Sequence, residues 1–260
     1  MNSIALDKRQ IERQFERAAS SYNKAAELQQ DIILELLSAV GEFVGTTNKI
    51  ADLGCGTGLG LVELERRFPS AQLLGVDIAQ AMLEQASQAC LKAEMLKADI
   101  ETLPEQNQSL DLVFTTSTLQ WCNLDAALKE CARVLRPGGY LALSTFGPKT
   151  HQEWKAAWES VDGVTHTLDF TDQATIENAL KCAGLAPLKQ WMKTHRLRFE
   201  TTHKVLQSVK HLGATNANAE RQRGLMGKQR FQRFLRAFEQ ISPDNGLTYE
   251  VFFAIARMPE

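Results

Sequence analysis

The chain has 260 residues, of which 44% are hydrophobic and 23% are charged, which suits one large globular domain or a domain with a lid. No apolar run approaches the roughly 18 residues needed to span a bilayer, and the N-terminus lacks the apolar core of a signal peptide. The five cysteines include no Cys-x-x-Cys pair, so we expect neither a disulfide framework nor a zinc site, and the cytoplasm is the expected compartment.

The net charge of −2 hides a strong asymmetry along the chain. Residues 181–240 contain 13 Lys or Arg and three acids, which gives this segment a net charge of +10 and leaves −12 for the remainder. A basic region of this kind raises the local concentration of an acidic partner. The same pattern is also typical of solvated helix faces, so both interpretations stay open.

Two helices are predicted in the first 48 residues, because residues 7–40 contain no glycine or proline. Ile11, Phe15 and Tyr22 recur at helical spacing and form one apolar stripe, and a second stripe runs from residue 32 to residue 40. A break is expected near residues 20–23. Tyr22 either packs on the core or covers a pocket, since a phenol can bury its ring while its hydroxyl finds a polar partner.

Residues 49–60 read Lys-Ile-Ala-Asp-Leu-Gly-Cys-Gly-Thr-Gly-Leu-Gly, which predicts a buried strand, a glycine turn and a helix. Glycine lets the backbone pack close to a ligand, so this arrangement is typical of nucleotide-binding sites. The dinucleotide pattern Gly-x-Gly-x-x-Gly fails, because Leu59 and Leu61 stand where the third glycine belongs. The pattern present is Asp-x-Gly-x-Gly-x-Gly, from Asp52 to Gly58.

From residue 49 onward, predicted strands alternate with predicted helices. The strands fall at 49–53, 72–77, 94–98, 110–115 and 140–145, and the helices at 59–68, 79–90 and 124–135. Pro69 stops the first of these helices, and the Arg-Pro-Gly-Gly segment at 136–139 stops the last. This alternation predicts an α/β fold with a parallel sheet covered on both faces, whose ligands bind at the carboxyl ends of the strands.

Asp77 closes the second predicted strand, 21 residues beyond Gly56. A carboxylate at this place can accept hydrogen bonds from the hydroxyls of a ribose. It can also cap the helix predicted to begin at residue 79. The sequence leaves both roles open.

Further candidates follow the third and fourth predicted strands. Asp99 and Ile100 end the third strand, the Thr-Thr-Ser segment at 115–117 ends the fourth, and Gln120 and Trp121 come just after. Trp121 is either a core residue or part of a substrate pocket.

Beyond residue 147 the chain is predicted to form helices at 152–160, 175–183, 201–212 and 229–241, with strands at 186–199 and 247–256. The basic segment therefore overlaps a helical insertion before the last strand, which we interpret as a lid at about 200–241. No histidine pairs with another His, Cys or acid at a defensible ligand spacing, so no metal site is expected.

Several segments taken together resemble one enzyme family. They are Phe15-Glu-Arg-Ala-Ala-Ser-Ser-Tyr22, Asp52 to Gly58, Leu119-Gln-Trp121, Leu135-Arg-Pro-Gly-Gly139, Ser144-Thr-Phe-Gly-Pro148, Gly213-Ala-Thr-Asn216 and Arg223-Gly-Leu225. The set is similar to that of the malonyl-(acyl-carrier protein) O-methyltransferases, which open pimelate synthesis for biotin and belong to the class I S-adenosylmethionine-dependent methyltransferases. The glycine motif and Leu-Arg-Pro-Gly-Gly mark only that superfamily, whereas the first segment and Gly-Ala-Thr-Asn are more specific.

The resemblance implies a Rossmann-like, seven-stranded class I methyltransferase sheet with a helical insertion before the last strand. Residues 1–48 would form an N-terminal helical cap and residues 49–260 the methyltransferase domain. S-adenosylmethionine would be the cofactor, with Tyr22 as a lid over the methyl donor and Trp121 in the substrate pocket. The residues implied to bind the cofactor are Asp52, Gly54, Cys55, Gly56, Gly58, Asp77, Ile78, Asp99, Ile100, Thr115, Thr116 and Gln120.

The implied substrate is the free carboxylate of malonyl on an acyl carrier protein, an acidic partner that would account for the basic segment. Arg196, Arg198, Arg221 and Arg223 are the candidate substrate contacts, and neither a nucleic acid nor a membrane is expected as a partner. A carboxylate with a pKa of about 4 is ionised at neutral pH, so it can attack the sulfonium methyl without a general base. A methyltransferase for another small carboxylate or metabolite, and a binding module without turnover, remain as alternatives.

Overall fold

The computed structural model describes residues 7–20, 22, 27–163, 167–211 and 227–260. Within these ranges the chain forms a seven-stranded sheet with helices on both faces. The helices are α1 (Lys8–Ala18), α2 (Glu27–Phe43), α3 (Leu59–Arg67), α4 (Gln80–Ala89), α5 (Leu124–Val134), α6 (Gln152–Asp162), α7 (Gln173–Cys182), α8 (Thr202–His211) and α9 (Lys228–Ile241). The strands are β1 (Lys49–Leu53), β2 (Gln72–Asp77), β3 (Glu94–Lys97), β4 (Leu110–Thr116), β5 (Leu135–Phe146), β6 (Ala186–Arg198) and β7 (Gly246–Arg257).

The strands lie in the order β3-β2-β1-β4-β5-β7-β6. The first five are parallel to one another, whereas β7 is antiparallel to both β5 and β6. After β1 the chain runs outward to β2 and β3 and then returns to β4 on the other side of β1, so the connections diverge at the carboxyl ends of β1 and β4. The predicted fold is confirmed, including the N-terminal helices and the helical insertion, α8 and α9, before the last strand.

Buried side chains on both faces hold the helices to the sheet. One face packs against α2, α6 and α9, with Ile32, Trp154 and Phe234 at most 6% exposed. The other face packs against α5 and α7 through Leu128 and Ile176, which are fully buried. Because both faces of the sheet are covered, the strands read as nearly continuous apolar runs. Burial of each such side chain contributes about 1.5–3 kcal/mol to stability. Within the described ranges, no helix has the length and apolar character needed to cross a membrane.

Helix α1 lies over the carboxyl edge of the sheet. The Glu16 carboxylate accepts hydrogen bonds from the backbone N–H groups of Gln80 and Ala81, at 2.7 and 3.1 Å, which are free donors at the start of α4. Lys8 Nζ lies 3.0 Å from Asp99 Oδ1, just beyond β3. The helix predicted near the N-terminus therefore closes over the ends of β2 and β3.

Strand β5 was predicted to begin at residue 140, but it begins at Leu135, directly after α5. Its register shifts, because Leu110 pairs with Leu135 and Leu112 pairs with Tyr140, so the intervening residues form a bulge. Gly138 has φ of 75°, and its N–H donates to Met258 O at 2.9 Å. The Pro-Gly-Gly segment therefore ends the helix as predicted, while remaining inside the sheet.

Candidate active site

Three glycines after β1 adopt left-handed backbone conformations, with φ of 75° at Gly54, 54° at Gly56 and 88° at Gly58. A Cβ on Gly54 would overlap the Thr118 side chain, and one on Gly58 would lie 2.9 Å from the backbone of Ala86. A Cβ on Gly56 would meet no atom within 4 Å. Two glycines of the motif therefore serve close packing, whereas Gly56 presents its backbone to open space.

The loop borders a cavity of about 610 Å³, part of it open to solvent, beneath α1 and beside the ends of β2, β3 and β4. Nine predicted site residues line it, namely Tyr22, Gly54, Gly56, Asp77, Ile78, Asp99, Ile100, Thr116 and Trp121. Lys8, Ile11, Phe15 and Met82 add to the lining. We call this the donor cavity.

Asp77 joins the end of β2 to the glycine loop. Its Oδ2 accepts the Gly56 N–H at 3.0 Å, and its Oδ1 accepts the Ala79 N–H at 2.9 Å, just before α4. Burial raises the pKa of the Asp77 carboxyl above its usual value, while the N–H donors of Ala79 and Gly56 oppose that shift. Both interpretations of Asp77 therefore remain compatible, because the carboxylate supports local structure and also faces the cavity.

Four other residues predicted to bind the cofactor do not line this cavity: Asp52, Cys55, Gly58 and Thr115. Asp52 is 2% exposed, and a Cβ on Gly60 would overlap its carboxylate. Burial, followed by the nearby charge of Asp77, raises the pKa of Asp52 to about 8. Thr115 Oγ1 donates to Leu53 O at 2.8 Å, which ties β4 to the end of β1.

Aromatic rings form one wall of the donor cavity. Phe15 meets Trp121 edge to face, with centroids 5.5 Å apart, and meets Tyr22 at 6.5 Å. Gln29 hydrogen-bonds the Tyr22 hydroxyl, and burial together with the charge of Asp77 raises the pKa of that phenol to about 12. Tyr22 therefore keeps its proton at physiological pH.

A second cavity of about 380 Å³, also partly open to solvent, adjoins the first, and Tyr22, Ser117 and Trp121 line both. Its remaining lining is Gln29, Gln120, Phe146, Thr150, His151, Leu168, Phe170 and Tyr249. We call this the acceptor cavity. Of the predicted cofactor residues, Gln120 lies here, where its Nε2 donates to Ser117 O at 2.6 Å and its Oε1 accepts from Thr145 Oγ1 at 3.2 Å.

Sequence reasoning named Ser117 only as part of the Thr-Thr-Ser segment at 115–117, without a role, and did not name His151. Ser117 follows Thr115 and Thr116 at the end of β4, so its place at the carboxyl edge was a usable signal. His151 lies just before α6, and its backbone N–H donates to the backbone O of Thr248 on β7 at 2.7 Å. No local sequence pattern predicts that contact.

Two of the predicted substrate arginines, Arg196 and Arg198, are held in ion pairs. The Arg196 guanidinium contacts Glu153 Oε1 and Asp244 Oδ1, each at 2.7 Å, and Arg198 contacts Asp244 at 3.1 Å. Neither arginine lines the donor or the acceptor cavity. Arg221 and Arg223 lie outside the described residues, as does the Gly-Ala-Thr-Asn segment at 213–216.

Comparison with known proteins places this architecture in a family. A family model described as a methyltransferase domain matches residues 51–143. The malonyl-(acyl-carrier protein) O-methyltransferase of Dechloromonas aromatica is 35% identical over 252 residues, covering 96% of this chain and 94% of that protein. The enzyme of the same name from Laribacter hongkongensis is also 35% identical, covering 97% of this chain and 90% of that protein.

The chain belongs to the malonyl-(acyl-carrier protein) O-methyltransferase family. Among solved structures, a geranyl diphosphate methyltransferase in complex with S-adenosylmethionine is similar with a TM-score of 0.55. That match has 15% sequence identity and covers 88% of this chain and 85% of the other, so it supports the fold. The matches cover 94% and 90% of the two relatives, so the resemblance found in the sequence holds over almost their whole length.

Proposed function

We propose that this chain transfers a methyl group from S-adenosylmethionine to the free carboxylate of a malonyl thioester, carried by an acyl carrier protein, giving the malonyl methyl ester at the start of pimelate and biotin synthesis. Membership of the family supports the reaction. The observation that carries the proposal is the meeting of the donor and acceptor cavities at Tyr22, Ser117 and Trp121. A methyl donor in one cavity and a carboxylate in the other would face each other across this junction.

The residues of the donor cavity fit S-adenosylmethionine. Gly56 leaves room for a ligand to approach the backbone, and Asp77 lies where a ribose would be bound. Ile78 and Ile100 offer apolar surface for an adenine ring, and Asp99 offers a carboxylate to its amino group. When bound, the cofactor supplies a methyl group on a positively charged sulfur, and its transfer to a carboxylate oxygen forms one C–O bond, breaks one C–S bond and releases no proton.

The chain therefore needs no general base for this reaction, and its own residues act by orientation and by excluding water. Tyr22, Phe15 and Trp121 form an aromatic wall beside the junction of the cavities. Gln120 holds the backbone of Ser117 in place through its 2.6 Å hydrogen bond. Holding the reacting groups in line can lower the barrier by several kcal/mol.

The basic insertion supports an acidic protein partner, and acyl carrier proteins are acidic. On α9, Arg233 and Arg236 are exposed while Phe234 and Phe238 are buried, so this helix presents cations on its outer face. Arg198 is 76% exposed on the neighbouring strand end.

We also propose the cytoplasm as the compartment of this reaction, and the five free cysteines support that choice.

Transfer of a radiolabelled methyl group from S-adenosylmethionine to malonyl-acyl carrier protein, malonyl-coenzyme A and free malonate tests the proposal. We expect fast labelling of the carrier protein substrate, slower labelling of the coenzyme A thioester and little labelling of free malonate. Faster labelling of free malonate would favour a methyltransferase for small carboxylates. Cofactor binding without transfer to any of the three would contradict the enzymatic function.

A further inference from the structure

Two residues of the acceptor cavity are held in an unusual backbone conformation. Ser117 at the end of β4 has φ of 54°, and His151 before α6 has φ of 59°. Among the described residues, only four that are not glycine have positive φ, and two of these four line this one cavity. Left-handed conformations of such residues are strained and cluster at functional sites.

The same two residues present buried polar atoms without partners. Ser117 Oγ and both ring nitrogens of His151 have no hydrogen-bond partner among the described residues. His151 is 1% exposed, so bulk water does not solvate its ring. A buried polar group left unpaired costs folding free energy, because it has given up its hydrogen bonds to water. A ligand in the cavity that accepts hydrogen bonds would remove this cost.

The acceptor cavity is also free of permanent charge. None of its described lining residues is Lys, Arg, Asp or Glu. Lys155, whose charge acts on His151, donates instead to Pro148 O at 3.2 Å and lies over the Phe170 ring at 5.1 Å. Burial, reinforced by the charge of Lys155 and opposed by Glu153, lowers the pKa of His151 to about 3. The imidazole is therefore neutral, with one N–H donor.

We propose that the acceptor cavity binds the malonyl group and that the Ser117 hydroxyl and the neutral His151 ring donate hydrogen bonds to its carboxylate. This assignment rests on the proposed function and adds the chemistry by which the substrate is recognised. It replaces the cationic clamp expected from the sequence with neutral donors. Both residues are specificity-determining groups, and neither transfers a proton.

Neutral donors suit a reaction in which charge disappears. As the carboxylate oxygen bonds to the methyl carbon, the negative charge of the carboxylate and the positive charge of the sulfonium are both lost. An Arg or Lys clamp would hold the ionised substrate more tightly than the transition state and would therefore raise the barrier. Hydroxyl and imidazole donors lose less as the charge falls, because their hydrogen bonds to a neutral ester oxygen persist.

The test compares malonyl-pantetheine with acetyl-pantetheine, which lacks the carboxylate, by titration calorimetry on protein loaded with S-adenosylhomocysteine. The wild type is expected to bind the malonyl compound more tightly. Ser117→Gly and His151→Leu should each weaken malonyl binding about 10–100-fold, the range for a lost hydrogen bond to a charged group. Affinity for acetyl-pantetheine should stay within about twofold in both variants, and affinity for S-adenosylhomocysteine should stay within about twofold in His151→Leu, because His151 does not line the donor cavity.

Two further variants separate recognition from folding. His151→Asn tolerates positive φ and keeps an N–H donor, so it should retain more of the malonyl preference than His151→Leu. Gln108→Gly relieves backbone strain at a left-handed residue that lines neither cavity, and should leave the preference unchanged. Thermal unfolding of each variant shows whether the fold is kept.

The outcomes distinguish failure of this assignment from failure of the proposed function. If the wild type does not methylate malonyl thioesters, the proposed function fails. If the wild type does so and the Ser117 and His151 variants keep the full preference for malonyl, the assignment is overturned while the function stands. Loss of the preference in Arg221→Ala or Arg223→Ala, with none in the Ser117 and His151 variants, would restore the cationic clamp.

Discussion

The Asp77 carboxylate accepts the backbone N–H of Gly56 at 3.0 Å, so the end of β2 fixes a motif glycine that lines the donor cavity and has open space beside its backbone. The same carboxylate accepts the Ala79 N–H at 2.9 Å through its other oxygen. One side chain therefore sets the shape of the loop and the start of α4 together. Each carboxylate oxygen has a further lone pair for a ligand hydroxyl.

Asp77→Ala should weaken binding of S-adenosylmethionine by about 1.5–3 kcal/mol, the range for hydrogen bonds to a charged group. Calorimetric titration measures this affinity directly. Asp111→Asn is the control, because Asp111 accepts the N–H groups of Asn48 and Lys49 at the start of β1 and lines neither cavity. The control should lose stability and keep its affinity. Unchanged affinity in Asp77→Ala would remove Asp77 from the cofactor site.

Tyr22→Phe should lower turnover more than it lowers stability, because it removes the hydroxyl that Gln29 binds between the two cavities while keeping the ring. Turnover per folded molecule and melting temperature are the two measurements. Tyr140→Phe, on β5 outside both cavities, is the control and should leave turnover unchanged. A sharp fall in melting temperature with turnover preserved would show that Tyr22 only packs.

Glu16→Gln should loosen α1 from α4, because a charged carboxylate now accepts the free N–H groups of Gln80 and Ala81. Loss of such a helix-start interaction costs about 0.5–2 kcal/mol of unfolding free energy. Glu12→Gln on the same helix breaks only the exposed pair with Lys97 and should cost less than about 1 kcal/mol. Equal losses in urea unfolding would show that Glu16 has no special role.

The stability of the protein should rise with pH between about 3 and 6.5 in part because of His151. Burial lowers its pKa to about 3 in the folded chain, while the unfolded side chain titrates near 6.5. The unfolded state therefore binds more protons in this window, so acid favours unfolding with a slope of up to about 1.4 kcal/mol per pH unit. Urea unfolding of His151→Asn at several pH values should show a flatter dependence. An identical slope in the variant would mean that His151 is protonated in the fold.

Added salt should raise the Michaelis constant for malonyl-acyl carrier protein far more than that for malonyl-pantetheine. Exposed charges are screened beyond about 8 Å at physiological ionic strength, and steering acts chiefly on the association rate. Arg221→Glu with Arg223→Glu should act like salt on the carrier protein substrate, whereas Arg66→Glu with Arg67→Glu on α3 should not. Equal salt sensitivity of the two substrates would leave the basic segment as a solvated surface.

The donor side of the site was accessible to sequence reasoning because its signals are local. The glycine run follows β1 directly, and Asp77 and Asp99 follow the ends of two neighbouring strands. Apolar runs fixed the strand positions closely, apart from the early start of β5 at the Pro-Gly-Gly bulge. The separation of roles within the glycine motif was not accessible, because Thr118 and Ala86 reach Gly54 and Gly58 only in the folded chain.

The acceptor side was not accessible because its parts are distant in sequence. His151 is buried by contact with β7, about a hundred residues later, and its ring packs on Tyr249 with centroids 4.7 Å apart. The ion pairs of Arg196 were not accessible for the same reason, since its partners Glu153 and Asp244 lie 43 and 48 residues away. Charge in a sequence carries no information about which cation already has an anion beside it.

The ladder between β6 and β7 has a consequence for how this scaffold can be re-engineered. Its last rung pairs Arg198 with Gly246, so the segment between them leaves and rejoins the sheet at adjacent points. Such an insertion can be exchanged as a module, because its ends are already brought together by the strands. A graft from a related enzyme would have to supply apolar groups in place of Phe234 and Phe238, which pack on Trp154. The preference for a carrier protein could then be changed while both cavities, which no described residue of this segment lines, are kept.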